Sequence, residues 1–401
     1  MISKYPMNSQ ERRAVSSLAL LYCFRMLGLF MVLPLLALYA ADLRGASPSL
    51  IGLAVGIYGL SQALLQIPFG WLSDHIGRKP VIVGGLLLFA LGSLVAGMAE
   101  SVHGVIFGRA LQGAGAIAGT LMAMVADLTR DEQRSKAMAI IGGSIGVAFA
   151  VAMVLGPVMA AWGGLSAVFF FTVLLALAGI VVVLVATPAP SARGIEHDEV
   201  GARSNLVPRS LKDGALLRLN SGVFILHFIL TASFMVVPTL LESVAGLSRE
   251  QHWQVYLAVV TLSLLLVFPL MRRAEQGGRL RQTFGVAIAL LVLALIIMIG
   301  SAQPVLIWLS LFLFFLAFNY LEATLPSLVS KTVFAGGRGT ALGIYSTCQF
   351  MGAFAGGALG GLIVQVQGAT CLLLLCTALA LLWLCFGLPR QPLGASVDPS
   401  L

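Results

Sequence analysis

Long apolar segments, separated by short polar stretches, run along almost the whole of this 401-residue sequence. A helix needs roughly 20 apolar residues to cross a hydrocarbon layer about 30 Å thick, so the chain has room for about twelve crossings. The segments lack the alternation of apolar and polar residues that is typical of a transmembrane β-barrel. Because backbone polar groups in lipid must be hydrogen-bonded internally, we predict an all-α membrane protein.

Composition excludes an ordinary water-soluble fold. Hydrophobic residues make up 59% of the chain and charged residues 10%, and the mean hydropathy is +0.99. Soluble domains carry about 25% charged residues. The five cysteines lie inside apolar segments without metal-ligand spacing, so we expect neither disulfides nor a metal site. No phosphate-binding loop or nucleophile constellation stands out, so we expect no enzyme and no cofactor, with a proton gradient as the driving force.

The apolar segments form two sets of six. The first set is predicted at residues 14–41, 50–72, 80–99, 104–126, 137–161 and 166–187. The second set is predicted at residues 219–241, 251–271, 282–301, 304–330, 339–365 and 368–387. A stretch rich in Pro, Ser and charge separates them, which predicts a hydrated linker. We therefore expect an N-terminal bundle (1–187), a cytoplasmic linker (188–218), a C-terminal bundle (219–388) and a short cytoplasmic tail (389–401).

Positive charges predict the orientation. With both termini in the cytoplasm, Arg44 and Arg249 are the basic residues on the opposite side, and Arg25 and Arg109 lie within spans. The rest of the 24 Lys and Arg residues fall in cytoplasmic segments, as the positive-inside rule requires. This distribution explains the net charge of +8 without a nucleic-acid partner.

A weak internal repeat links the two halves. The loop after the second span runs from Asp74 to Arg78, and the loop after the eighth span runs from Glu275 to Arg279. Both read acid-x-x-Gly-Arg. Transporters built from duplicated six-helix units bind their substrate near mid-membrane between the units.

The segment GWLSDHIGRKP, residues 70–80, is the most specific motif. It resembles the signature between helices 2 and 3 of the major facilitator superfamily, although His75 stands where that family usually has Arg. The segments RMLGLFMVLP (25–34), GRALQGAGAIAG (108–119) and DLTRDEQRSKAMA (127–139) extend the likeness. The resemblance implies twelve transmembrane helices in two pseudo-symmetric six-helix bundles, with a cavity lined by spans 1, 4, 7 and 10.

The loop motif also has a physical interpretation. Asp74 is expected to face the positive end of the eleventh helix while Arg78 pairs with acidic neighbours, which would hold the two bundles in one arrangement. The alternative is that these charges only cap a tight turn and fix the topology. The residues predicted for this conformational latch are Gly70, Asp74, Gly77, Arg78, Lys79, Glu275 and Arg279.

Charges inside the spans predict the transport pathway. An Arg at the centre of a membrane helix costs roughly 2.5–3.5 kcal/mol, so Arg25 is expected to face protein or water. Arg109 lies in a segment that resembles the helix-4 signature of the superfamily, which implies a role in proton transfer. Glu322 is a carboxylate well inside a span, and beside Arg25 or Arg109 it would be able to switch its protonation. Asp127 is a further coupling or cavity candidate.

Fixed hydrogen bonds are the alternative for these charged residues, with Glu322 only holding the bundles together. His227 and Asn319 are candidates for substrate contact or for hydrogen-bonded packing. Gly156 and Pro157 are the predicted hinge of the fifth span, which resembles the antiporter signature of the superfamily in part, because Ala160 and Ala161 stand in place of its final glycines. The alternative for these glycines is close helix packing.

The function expected from these features is proton-coupled efflux of small amphipathic molecules or drugs by alternating access. A proton-coupled uptake symporter would use the same parts, and a scaffold or receptor without flux is a third possibility. The expected partners are the small-molecule substrate, protons and the lipid bilayer, with no nucleic acid and a monomeric chain. The expected location is the bacterial inner membrane.

Overall fold

The structure is a computed structural model that describes residues 6–188, 207–276, 279–333 and 337–388. Within these ranges it has eleven helices that are long and apolar enough to cross a membrane. Most of the predicted linker, at residues 189–206, and the predicted tail lie outside the described residues. The helices of the N-terminal half are α1 Ser9–Tyr39, α2 Pro48–Ile76, α3 Arg78–Gly97, α4 Val102–Ala114, α5 Ala118–Asp127 and α6 Asp131–Val181. Those of the C-terminal half are α7 Val207–Lys212, α8 Gly214–Phe234, α9 Val237–Ser243, α10 His252–Gln276, α11 Leu280–Gly300, α12 Pro304–Thr332, α13 Arg338–Gln367 and α14 Ala369–Phe386.

Helix α6 accounts for the difference between eleven helices and the expected twelve crossings. Its 51 residues correspond to about 75 Å of helix, more than twice the thickness of the hydrocarbon layer. The backbone leaves the helical conformation at Gly163 and Gly164, and Gly164 has a φ of +66° that favours glycine. The fifth and sixth predicted spans meet at this point, so the chain is able to reverse there and cross twice.

Helix caps explain where two of the predicted boundaries differ from the structure. Helix α1 begins at Ser9, ahead of the predicted residue 14, because Asn8 and Glu11 form a capping box. Helix α8 begins at Gly214, ahead of the predicted residue 219, because Asp213 accepts hydrogen bonds from the first backbone N–H groups. Hydropathy alone misses these polar first turns.

Two of the apolar spans are broken, one near its middle and one in its last third. Residues 115–117 separate α4 from α5, and residues 235–236 separate α8 from α9, where Pro238 opens the second helix. A Cβ added to Gly115 would lie 2.3 Å from the carbonyl oxygen of Gly85, so the unwound segment is packed against a neighbouring helix. Broken helices in membrane proteins occur where the backbone is buried in protein or lines a cavity.

The helices pack within each half and along a seam between the halves. Helix α1 lies on α6, and α3 lies on α4, while α8 packs against α13 and α11 against α12 and α14. The halves meet mainly where α2 runs along α13, and also where α6 contacts α10. This arrangement agrees with the predicted pair of helical bundles.

Glycines bring α2 and α13 into backbone contact. A Cβ on Gly52 would lie 2.3 Å from the carbonyl oxygen of Gly357, and one on Gly361 would lie 2.3 Å from that of Pro48. The neighbouring face of α13 uses Gly352 and Gly356 against α8 in the same way. Small residues allow such close helix approach, so α13 is clamped between the other bundle and its own.

Candidate functional site

The loop motif forms a charged cluster at one end of the N-terminal half, which we call the motif end. Arg78 pairs with Asp74 through Nη1 and with Asp127 through Nε at 2.9 Å, and it also donates to the hydroxyl of Ser73 at 2.7 Å. Gly77 connects α2 to α3 with a φ of +96°, which favours glycine. The cluster therefore joins the ends of α2, α3 and α5.

Asp127, predicted as a coupling or cavity residue, lies in the motif cluster, and its predicted role stays a prediction. Its carboxylate accepts from Arg78 because α5 ends beside the loop between α2 and α3. Asp74 pairs with Arg78 inside its own bundle, and its side chain is half exposed. The predicted contact of Asp74 with the first turn of α13 stays a prediction, because the side chain of Arg338 in that turn lies outside the described residues.

The other predicted latch residues are more dispersed. Lys79 donates to the carbonyl oxygen of Thr187 at 2.6 Å, which caps the end of the sixth span. Gly70 lies in α2, and its carbonyl accepts from Ser73 at 2.7 Å. Arg279 is exposed just before α11, and the side chain of Glu275 lies outside the described residues.

A second ion pair fastens the motif end. The buried carboxylate of Glu11 accepts three hydrogen bonds from Arg130, from Nε at 2.8 Å, from Nη2 at 2.9 Å and from the backbone N–H at 3.0 Å. These hydrogen bonds raise the pKa of the Arg130 guanidinium. The pair joins the start of α1 to the loop before α6, the two helices that pack together most extensively in the N-terminal half.

Arg25 lies in the core of the N-terminal half. Its guanidinium is 1% exposed, and Nη2 donates to the hydroxyl of Tyr58 at 3.0 Å and to Oε1 of Gln62 at 2.6 Å. As predicted, it faces protein. Its Nε and Nη1 atoms have no hydrogen-bond partner among the described residues, and the same is true of Nε2 of Gln62.

Arg109 also contacts Tyr58. Its guanidinium carbon is 4.9 Å from the centre of the Tyr58 ring, and the side chain is also 1% exposed. Nη1 donates to Gln112 at 2.9 Å, and the other nitrogens donate weakly to the carbonyls of Ala54 and Val55 at 3.3 and 3.4 Å. Arg109 thus makes hydrogen bonds to helix carbonyls, the contact expected from the alternative interpretation.

Glu322 lies in the C-terminal half, and among the described residues it contacts neither of the two buried arginines. Gln349 donates to its Oε1 at 3.1 Å, and Nε2 of His227 is 3.7 Å from its Oε2. The same amide nitrogen of Gln349 is 2.9 Å from Nε2 of His227, whose Nδ1 is 3.1 Å from the carbonyl oxygen of Val223. These contacts fit a neutral imidazole that donates through Nδ1 and accepts through Nε2.

The structure therefore brings together a carboxylate and a histidine that were predicted separately. The sequence predicted Arg25 or Arg109 as the partner of Glu322, and neither arginine forms an ion pair among the described residues. His227, a candidate for substrate contact or for hydrogen-bonded packing, lies 3.7 Å from the carboxylate, and its role in substrate contact stays a prediction. Gln349 was not predicted from the sequence. The signal that could have identified it is a polar residue inside a membrane helix.

Asn319, the other candidate for substrate contact, lies one turn before Glu322 on α12. Its amide donates to the hydroxyl of Ser263 on α10 at 2.9 Å, which is the packing role given as its alternative. Gly156 belongs to a close contact, because an added Cβ would lie 2.7 Å from the carbonyl oxygen of Met31 on α1. Pro157 follows inside α6, where it removes a backbone hydrogen bond.

An aromatic cluster crosses between the halves near these residues. The ring of Phe149 on α6 is 5.1 Å from Phe30 on α1, and 6.1 and 5.9 Å from Phe315 and Phe318 on α12. Phe318 is in turn 5.9 Å from the ring of His227. The cluster places an apolar contact between the bundles directly beside the carboxylate–histidine pair.

The end of the molecule away from the motif, which we call the opposite end, is closed by contacts between the halves. Arg249 donates to Asp42 at 3.0 Å and stands 3.6 Å from Glu242, and its guanidinium carbon is 5.3 Å from the centre of the Tyr39 ring. The backbone N–H of Ser49 donates to the side chain of Gln365 at 3.1 Å. These contacts between the halves, together with the glycine contacts between α2 and α13, were not predicted from the sequence.

Comparisons with known proteins agree with this architecture. The profile of the Major Facilitator Superfamily matches residues 18–356. The inner membrane transport protein YajR of Escherichia coli is 45% identical over 386 residues, which are 96% of this chain and 84% of that protein. The multidrug resistance protein MdtH of Aeromonas salmonicida is 27% identical over 357 residues, which are 86% of this chain and 85% of MdtH.

A solved structure shares the fold despite low identity. A bacterial homologue of the human lysosomal transporter Spinster, solved in an inward-facing and occupied conformation, superimposes with a TM-score of 0.74 at 14% identity, covering 95% of this chain and 97% of that one. The match to the family profile covers both halves of the chain. The chain is a multi-pass membrane transporter of the major facilitator superfamily.

Proposed function

We propose that this transporter exports small amphipathic molecules in exchange for protons, by alternating access. Glu322 is the proposed proton carrier and His227 is its partner. Secondary transport belongs to the family, whereas direction, coupling and substrate are parts of this proposal. The naming of a relative as a multidrug resistance protein supports the choice of substrate class.

The geometry around Glu322 carries the proposal. Oε2 of the carboxylate has no hydrogen-bond partner among the described residues, while Oε1 accepts a single bond from Gln349. The unpartnered carboxylate oxygen lies beside an imidazole nitrogen, which places two groups able to bind a proton next to each other. Since the pair lies beside the aromatic contact between the bundles, a change in its charge would alter that contact.

The motif end and the opposite end of the molecule have different roles in this proposal. With the predicted orientation, the motif end is cytoplasmic and the closed opposite end is periplasmic. The substrate would then enter from the cytoplasm, and the contacts of Arg249, Ser49 and the α2–α13 glycines would open for release. Protonation of Glu322 from the periplasm would favour the return step, which gives exchange rather than cotransport.

Proton movement in liposomes tests the proposal. Purified protein is reconstituted with a pH-sensitive dye inside, and a panel of cationic, neutral and anionic amphipathic compounds is added with and without a pH gradient. We expect at least one compound to move protons in the direction opposite to its own flux. Proton movement in the same direction as the compound would contradict export and indicate uptake.

The variant Glu322→Gln separates coupling from transport. We expect it to retain exchange of labelled substrate across the membrane and to lose both proton movement and pH dependence. Glu100→Gln is a matched control, because Glu100 is an exposed carboxylate paired with Arg44 in its own bundle. An unchanged pH dependence in Glu322→Gln would remove this residue from the coupling mechanism.

A further inference from the structure

Positive charge collects where α10 ends and α11 begins. Residues 271–290 contain four arginines and one carboxylate, that of Glu275, which leaves a net charge of +3. The four exposed arginines are Arg272, Arg273, Arg279 and Arg281. Among the described residues none of them forms an ion pair. Because α10 begins at the opposite end, beside Arg249, this basic corner lies at the motif end.

A groove of about 580 Å³ begins at the basic corner, on the outer face of α11. It is lined by Arg281, Gln282, Gly285, Val286, Ala289 and Leu388. Gly285 forms its floor, since a Cβ there would lie 3.5 Å from a methyl carbon of Leu388, which follows α14. Val286 is 58% exposed, so the groove opens to the surroundings of the helix bundle. The groove therefore has a cationic, polar end and an apolar remainder.

The length of the groove fits one leaflet of a bilayer. Eight residues separate Arg281 from Ala289, and this corresponds to about 12 Å along a helix. Half of the hydrocarbon layer of a bilayer is about 15 Å thick. With Arg281 at the level of the lipid headgroups, the apolar part of the groove would follow an acyl chain through most of that leaflet.

We propose that Arg281 and the groove below it bind an anionic phospholipid from the leaflet at the motif end. The lipid phosphate pairs with Arg281, beside the amide of Gln282, and one acyl chain lies over Gly285 between α11 and Leu388. Basic pockets at the ends of membrane helices bind anionic headgroups in this way. Charge decides the occupant, because a zwitterionic lipid brings its own cation to a corner that already carries +3. This inference needs neither the direction nor the coupling of the proposed transport.

Trp383 is a reporter for this groove within the chain itself. Its ring is 5.9 Å from that of Phe284, and a Cβ on Gly387 would lie 2.1 Å from it. Phe284 and Gly387 directly precede two residues that line the groove. Since Trp383 is 2% exposed, lipid elsewhere on the surface does not touch it. Bromine atoms on an acyl chain quench tryptophan fluorescence at short range, so quenching of Trp383 reports a chain in the groove.

Vesicles with brominated lipid test the proposal. The full chain keeps Trp383, while Phe replaces the other tryptophans, which are Trp71, Trp162, Trp253 and Trp308. The vesicles are phosphatidylcholine with a minor fraction of brominated phosphatidylglycerol or, in the second arm, of brominated phosphatidylcholine. At low salt we expect phosphatidylglycerol to quench Trp383 with an apparent affinity about fivefold higher or more. High salt should reduce this preference, because it screens exposed charge.

Two outcomes of this comparison would overturn the proposal. Equal quenching by both lipids would show a surface that takes any lipid. An absence of quenching by either lipid would show that no acyl chain enters, which is also the result if the segment that follows Leu388 fills the groove. Neither outcome touches the proposed export, because no transported compound or proton gradient is used.

Variants locate the response. Arg281→Gln should lower the preference for phosphatidylglycerol about fivefold, whereas Lys136→Gln, an exposed basic residue at the motif end of α6, should leave it unchanged. Gly285→Leu fills the groove and should abolish quenching by both lipids. Gly84→Leu is its control, because Gly84 is exposed on α3 and an added Cβ has nothing within 4 Å. A preference that survives in both Arg281→Gln and Gly285→Leu would place the lipid elsewhere and overturn this site.

Discussion

Nε2 of His227 lies 3.7 Å from Oε2 of Glu322, and one amide nitrogen, that of Gln349, reaches both side chains. At this distance the two groups do not share a hydrogen bond in the neutral state of the imidazole. A proton on Nε2 of His227 would change the Gln349 contact from attraction to repulsion and would favour a direct bond to Glu322. The three residues come from α8, α12 and α13, so such a change would be felt by three helices.

Replacement of Gln349 tests this arrangement. Gln349→Leu removes the amide that contacts both the Glu322 carboxylate and the His227 ring, so we expect the pH profile of transport to shift. Proton-coupled flux across a series of pH values measures the shift. Gln367→Leu makes the same change near the exposed end of the same helix and should leave the profile in place. A profile that does not move contradicts the role of Gln349.

The contact between Arg249 and Asp42 predicts a moderate conformational effect. Arg249→Gln breaks a partly exposed bridge between the bundles, and such pairs contribute up to about 1 kcal/mol. We expect the population closed at the opposite end to fall by up to about fivefold. Spin labels at Met98→Cys and Gln303→Cys, in a chain without its natural cysteines, report the distance between the bundles at that end.

Arg44→Gln is the control for this measurement. Arg44 is at the same end, but its partner Glu100 belongs to the same bundle. The label distances should therefore match those of the natural sequence. If both arginine variants change the distances equally, general loss of charge rather than the bridge is responsible.

The glycine contact between α2 and α13 predicts a larger effect. Gly52→Ala puts a methyl group 2.3 Å from the carbonyl oxygen of Gly357, and the helix backbones have to separate to admit it. Overpacking costs about 1–3 kcal/mol, so closure at the opposite end should become roughly 5- to 150-fold less favourable. The same label pair would show longer distances. Gly142→Ala, where an added Cβ has nothing within 4 Å, should behave as the natural sequence, and unaltered closure in Gly52→Ala would rule out the clamp.

The motif cluster predicts a loss of transport without a loss of folding. Asp74→Asn removes one of the two carboxylates of Arg78, while Asp127 stays, so the free energy of unfolding should change by less than about 1 kcal/mol. We expect correct insertion and a several-fold slower transport, because the paired loop no longer holds its conformation. Flux per inserted protein is the measurement. His75→Ala is a control in the same loop, since the hydrogen bond of His75 is to Trp71 of its own helix; full flux in Asp74→Asn would remove the predicted latch.

Hydropathy was sufficient to predict the membrane spans, because insertion of a helix depends on the length of its own apolar segment. The predicted break between residues 161 and 166 contains Gly163 and Gly164, where the long helix α6 is interrupted. Start positions at Ser9 and Gly214 were missed, because polar capping residues extend these helices beyond their apolar part. The glycines at 352 and 356 form a packing face against α8.

Side-chain partners were harder to predict because the rotation of each helix about its axis is fixed by its neighbours. The sequence identified Glu322, His227, Arg25 and Arg109 as buried polar residues. It did not indicate that Glu322 faces His227, or that Asp127 turns towards Arg78. Each of these pairs joins separate helices, and no spacing along one helix reports which face its neighbour presents.

Sequence alone determined the class of protein, the number and order of its apolar segments, and the superfamily motif between α2 and α3, because lipid imposes these requirements on each segment separately. Tertiary structure decided that the bundles close at the end that holds Asp42 and Arg249, that glycines of α2 and α13 meet there, and that Arg25 contacts Tyr58 and Gln62. These are contacts between helices distant in the chain, and their energies depend on ångström-scale approach that composition does not encode.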